Sequence, residues 1–246
     1  MMKDMSLTDH LTELRGRIIK IVIYLIVFFG LCYNFGDKLQ DFLLMPLRSA
    51  LGSEGKVVFI GLLDKVLTQF QLAFWCSIIT SSPLWFRELW LFIRPGLYDN
   101  EIKIIRPFIF LGFTLFCLGV SFGYFIVFPF TFETILGFGV SNIEATISLK
   151  EYIVLSSKVL VFLGLLFQLP NIILILGLMG AITHQQLTGL RRYVITAFAV
   201  VSALITPPDP ITMMALWVPL VLLYEIGLLL LKLMSPFIKK QTDMTI

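Results

Sequence analysis

Long apolar runs alternate with short polar segments along these 246 residues, and six of the runs approach the length that crosses a bilayer. A hydrocarbon core of about 30 Å needs roughly 20 helical residues. The runs fall at about 18–36, 66–86, 107–129, 152–177, 193–206 and 211–231. No repeat, low-complexity tract or second domain interrupts them. The pattern predicts an all-α, polytopic chain: one membrane domain of six transmembrane helices over 1–246. The fifth run is the exception. Bounded by Arg192 and by Pro207-Pro208-Asp209-Pro210, its 14 residues reach only about 21 Å as a helix. A short fifth helix beside a locally thinned bilayer follows, unless the helix extends back into the Gly189-Leu190 turn.

Composition agrees with a membrane chain. At 58% hydrophobic and 14% charged residues, with a mean hydropathy of +0.92, the sequence lies far from soluble domains, which carry about 25% charge. Twenty-three Phe and four Trp suit a lipid-facing surface with interfacial anchors. A formal charge of +3, scattered along the chain, does not describe a nucleic-acid binder. Cys32, Cys76 and Cys117 lie inside apolar runs with no metal-ligand or CxxC spacing, so they read as small buried hydrophobes. The first run lacks a small-residue cleavage site after it and reads as an uncleaved anchor. No nucleotide-binding loop, HExxH or GxSxG is present. The chain is expected to be neither an enzyme nor a cofactor or metal protein.

Lys and Arg give the orientation, because they are retained on the cytoplasmic side. With the N-terminus inside, thirteen basic residues fall in inside segments and five in outside ones (Lys38, Arg48, Lys56, Lys65 and Lys150), while Lys158 lies within the fourth run. Both termini are therefore expected in the cytoplasm. The longer outside segment, 37–65, holds an amphipathic stretch, Leu39, Phe42, Leu43 and Pro46, that reads as an interfacial helix ending near the proline.

Against that basic inside face stand two acids, Glu13 and Glu101. Ser6-Leu-Thr-Asp9 opens an N-terminal amphipathic helix as a capping box. His10, Glu13 and Arg17 then share one face, and Leu11, Leu14 and Ile18 another. Glu13 has a local partner in Arg17 at i+4. The i+3 and i+4 neighbours of Glu101 are Ile104 and Ile105, which offer it no cation, and Trp90, Phe92 and Tyr98 flank the nearby Arg94-Pro95-Gly96 turn. Carboxylates beside aromatic rings suit a guanidinium, which hydrogen-bonds in pairs and stacks on rings. A docking site for a cationic ligand is one reading; a helix ion pair and a solvated loop acid are the alternatives.

Within the runs, Lys158 is placed to snorkel to the outer interface. Glu225 can reach the inner interface or pair with another helix. Gln168, near the midplane and before Pro170, can hydrogen-bond a neighbouring helix, and Pro170 predicts a kink. Gly119 and Gly123 form one GxxxG packing motif.

His10-Leu-Thr-Glu-Leu-Arg15, Phe92-Ile-Arg-Pro-Gly-Leu-Tyr98 with Glu101, Tyr124-Phe-Ile-Val-Phe-Pro129 and Thr206-Pro-Pro-Asp209 resemble, in order, the motifs of the TatC family, the large subunit of the twin-arginine protein translocase. The likeness runs from about residue 8 to 231. It implies a receptor for folded precursor proteins with twin-arginine signal peptides, in a translocase of the bacterial inner membrane or its organellar equivalent, driven by the proton-motive force. It also implies a concave, glove-like bundle with short last helices, single-span TatA/TatB-type partners and self-association in a larger complex. The family's arginine-recognition acids match Glu13 and Glu101, with Arg15, Phe92, Pro95 and Tyr98 shaping the site. Pro46 matches a proline of the first outer loop and Asp209 the acid of the last outer turn. Where the family often carries a mid-membrane glutamate, this chain has Gln168, which cannot ionise; hydrogen bonding to a partner helix is the role it retains.

Two other classes compete. A small-solute secondary transporter would show repeated halves and charged midplane sites, which are missing here. A purely structural scaffold leaves two acids on a basic face without a reason.

Overall fold

The computed structural model describes residues 7–51, 56–93, 99–137, 146–178, 180–206 and 209–242. Helix α1 (Leu7–Asn34) leads into α2 (Gly36–Leu51), strand β1 (Lys56–Val58), α3 (Asp64–Thr80) and α4 (Ser82–Ile93). Next come α5 (Asp99–Phe122), a π-helical segment (Gly123–Val127), α6 (Phe128–Gly137) and β2 (Thr146–Ser148). The chain ends with α7 (Leu149–Leu166), α8 (Leu169–Leu178), α9 (His184–Ile205) and α10 (Pro210–Thr242). Among the described residues, five helical stretches are long and apolar enough to cross a membrane: Leu11–Asn34, Ile109–Ile135, Leu149–Gly177, His184–Ile205 and Pro210–Met234.

The expected second run, 66–86, is divided between α3 and α4. Pro83 has no N–H to give the carbonyl of Ile79, so the helix cannot continue unbroken. Ser81 sits at the joint: its N–H donates to the carbonyl of Ser77, and its own carbonyl accepts from Leu84 and Trp85. The Trp85 indole N–H closes the elbow on the carbonyl of Ile78 at 2.9 Å.

The short fifth helix is not observed. Thr183 and Gln186 form a reciprocal capping box, with the Thr183 hydroxyl accepting from the Gln186 N–H and the Gln186 amide oxygen accepting from the Thr183 N–H. That cap starts α9 at His184 and gives it 22 residues, about 33 Å. The apolar run begins only after Arg192 because the first two turns are polar, and the T-x-x-Q box marks the true start. The sixth helix is not short either: α10 has 33 residues. Bilayer thinning therefore loses its length argument.

Glycines bring α5 and α7 together. A Cβ on Gly119 would stand 2.7 Å from the Leu163 carbonyl oxygen, and one on Gly123 would meet the side chains of Leu160 and Leu163. The GxxxG motif is thus a packing face in fact. From the other side, Gly164 leaves room for Phe116, which is fully buried against Trp85 and Phe86. The expected kink before Pro170 is a break at Phe167–Gln168 between α7 and α8. Gln168 secures it by donating to the Gly112 carbonyl of α5 at 2.8 Å, an approach open because residue 112 carries no side chain.

Most of the apolar surface faces outward, as it must when the solvent is lipid. In α1, Ile18, Ile19, Val22, Ile23, Ile26 and Val27 are all exposed. Leu11 and Ile18 point away from the protein, and the polar stripe with Glu13 and Arg17 turns inward.

Candidate functional site

Glu13 and Arg17 lie one turn apart near the start of α1, which packs along α3 and α4. Arg17 is held at both ends. Its Nη2 donates to Glu13 Oε1 at 3.0 Å and its Nη1 to Glu88 Oε2 at 2.9 Å. Glu88 comes from the inward face of α4, with only 3% of its side chain exposed, against 22% for Glu13. The Tyr24 hydroxyl, two turns farther along α1, donates to the other oxygen, Glu88 Oε1, at 3.4 Å. One guanidinium thus bridges two carboxylates, and this set of side chains keeps a formal charge of −1.

Local spacing pairs Glu13 with Arg17 and leaves Glu88 out. The signal was available. Glu88 is the one acid between Pro83 and Pro95, and it stands three residues after Trp85, on the face that a helix with Trp85 buried would bury as well. A buried acid in an apolar helix calls for a cation from elsewhere.

The other expected site residues fare differently. Arg15 is exposed, rotated about 200° along the helix from Arg17, so it does not join the cluster. Phe92 closes the last turn of α4, four residues after Glu88 and partly buried. Glu101 lies in the first turn of α5, where a helix dipole favours an acid, and α5 packs beside α4. The Glu101 side chain, Pro95 and Tyr98 lie outside the described residues, as do Ser6 of the capping box and the side chain of His10. An apolar hollow of about 300 Å³, lined by Trp90 and Ile93 of α4, Ile109 and Gln168 among others, opens beside the aromatic end of α4.

Two further expected residues form local supports. The sequence predicts that the interfacial helix ends near Pro46, but α2 runs through it to Leu51. Pro46 cannot serve the carbonyl of Phe42; the Tyr124 hydroxyl donates to that carbonyl at 2.6 Å. The Tyr152 hydroxyl does the same for the carbonyl of Leu43 at 2.7 Å. With the freed Phe42 carbonyl satisfied and the Leu43 carbonyl given an additional donor, the helix has no reason to stop. Asp209 caps α10, its Oδ2 accepting from the N–H groups of Ile211 and Thr212 at 3.1 and 2.9 Å. Glu225 pairs with Arg191 across α9 and α10, and Lys158 is exposed on α7.

A family model described as "Sec-independent protein translocase protein (TatC)" matches residues 9–219. The chain belongs to the TatC family. The TatC of Desulforapulum autotrophicum is 39% identical over 90% of this chain and 82% of its own length. That of Helicobacter pylori J99 is 34% identical over 94% and 90%. A crystal structure titled as the twin-arginine translocase receptor TatC superposes with a TM-score of 0.80 at 31% identity, covering 92% of this chain and 99% of that one. Family membership makes the chain a multi-pass membrane component of a protein translocase and decides against the solute transporter. No enzyme is implied by TatC membership. Among the described residues, no cluster of His, Cys, Asp or Glu could hold a metal ion.

Proposed function

We propose that this TatC chain is the subunit that receives twin-arginine signal peptides, with Glu13 and Glu101 accepting the two guanidinium groups on the cytoplasmic face. The supporting observation is the state of Glu13. It is partly exposed, engaged through Oε1 alone among the described residues, and part of a cluster one positive charge short of neutral. Charge-assisted hydrogen bonds contribute about 1.5–3 kcal/mol each, more than an exposed ion pair. Phe92, Pro95 and Tyr98 then supply ring and turn surface beside the arginines, and Arg15 stands at the exposed edge. Both termini lie in the cytoplasm, α3 with the α4 elbow makes up the sixth crossing, and residues 1–246 act as one concave membrane domain. Small single-span TatA/TatB-type subunits and further copies of the chain complete the complex, which moves folded precursors at the expense of the proton-motive force and without catalysis of its own. Gln168 spends its amide N–H on α5, while the buried Asn171 Oδ1 accepts no hydrogen bond among the described residues. That oxygen is where a donor from a partner helix would add a bond.

The test is binding of a synthetic twin-arginine signal peptide to the full chain in bilayer discs. Glu101→Gln and Glu13→Gln should each weaken binding about tenfold or more, as expected for one lost charge-assisted bond. Replacing the peptide's arginines by lysine should weaken it as well. Binding that depends on neither acid rejects the site.

A further inference from the structure

We propose that Arg17 is a resident stand-in for the incoming guanidinium, and that Glu88 is the positioning residue that draws it off Glu13 when the peptide arrives. This rests on the reading of Glu13 as an arginine acceptor. A guanidinium presents planar pairs of donors, and Arg17 spends one nitrogen on each acid. The two acids are unequal. Glu88 is sealed from solvent, with one oxygen on Arg17 and the other on Tyr24. Glu13 is partly open and uses one oxygen. Stripping the cation from a desolvated carboxylate costs far more than stripping it from an open one. An arriving arginine therefore takes Glu13, and Arg17 stays with Glu88. The exchange ends with two guanidinium groups on two carboxylates, neutral where the empty site carried −1. Without the Glu88 charge, Arg17 is free to turn both nitrogens on Glu13 at i,i+4 and to compete with the peptide.

The experiment measures the Kd of a fluorescent twin-arginine peptide for the full chain in bilayer discs. Glu88→Gln should weaken binding about fivefold, the scale of one partly solvated ion pair. The double variant R17Q/E88Q should regain the lost affinity, because competitor and anchor are both gone and no buried charge is left unpaired. Unchanged affinity in Glu88→Gln, with Glu13→Gln still defective, overturns the exchange and leaves the Glu13 site standing. A double variant as weak as the single overturns it too, by showing that Glu88 or Arg17 holds the peptide itself. Should Glu88→Gln fail to insert, the double variant alone decides: affinity at or above that of the unaltered chain supports the exchange, and a tenfold loss overturns it. Binding indifferent to Glu13→Gln removes the underlying site instead.

Discussion

The two ends of α1 are held by opposite means. Near its start, a single guanidinium spans Glu13 and Glu88 and leaves one carboxylate partly open. Past its other end, two tyrosine hydroxyls meet the two backbone carbonyls beside Pro46, with no charge involved. There the Phe42 ring lies parallel to Tyr124, centroids 4.6 Å apart, and Leu43, Leu44 and Leu47 are buried. A neutral, fully satisfied network has little to gain from a new partner, so it fixes geometry. A charge cluster short of one cation has much to gain, so it binds. The comparison also explains the chemistry chosen at each end: freed carbonyls need only donors, whereas a site for arginines must keep negative charge in reserve.

The largest effect should come from removing the shared cation. Arg17→Ala leaves Glu88 buried without a cation, with only the Tyr24 hydroxyl on one oxygen, a loss of about 3–5 kcal/mol by analogy with other broken buried pairs. R17Q/E88Q should recover most of it, read as the unfolding temperature in detergent. Equal destabilisation by both variants would mean that packing, not charge, dominates this end.

A smaller effect is expected at the neutral end. Tyr124→Phe orphans the carbonyl of Phe42, which Pro46 cannot serve, and should cost about 1–3 kcal/mol; Tyr152→Phe should cost less, about 0.5–1.5 kcal/mol, because the Leu43 carbonyl keeps its helical donor. Neither should change the affinity for a twin-arginine peptide, and neither effect should depend on salt. A peptide-binding defect in either variant would erase the division of labour between the ends.

Much of this was legible in the residues, and the misses share a cause. Runs of apolar residues place helices well because lipid rewards them uniformly, and GxxxG marks a packing face on α5 without naming α7 as its partner. Polar helix turns carry no such signal, which is why α9 was cut short at Arg192 despite the Thr183–Gln186 box. Pro46 suggests a stop because its missing N–H is local, whereas the tyrosine hydroxyls that serve the carbonyls of Phe42 and Leu43 lie 82 and 109 residues away in the chain. The burial of Glu88 can be read from its spacing to Trp85, but its pairing cannot, for the same reason. Its partner Arg17 is 71 residues distant, and sequence spacing shows only neighbours within a turn.

The smallest effect concerns a second charged contact, at the Pro46 end. Lys150, at the start of α7, donates to Asp64 Oδ1 at 2.9 Å, and the Gly61 N–H donates to Oδ2 at 2.7 Å. This contact adjoins the two-stranded parallel pairing of Lys56–Val58 with Thr146–Ser148. The Lys150 hydrogen bond, then the Gly61 N–H, hold the Asp64 carboxyl below its ordinary value of 3.8. A lowered folded value means that the carboxylate's contribution is complete above pH 3.8 and is lost as pH falls through the folded value. The difference in unfolding temperature between the unaltered chain and Asp64→Asn should therefore be flat from pH 7 to about 5 and should close below about pH 4. The tyrosine contacts, having no group that titrates there, should show no such dependence. A difference that persists unchanged at about pH 2 would show that charge does nothing at this contact. Apart from the exposed Arg48–Asp41 pair, the Pro46 end would then be held by neutral bonds, and the contrast with the Arg17 cluster would be sharper.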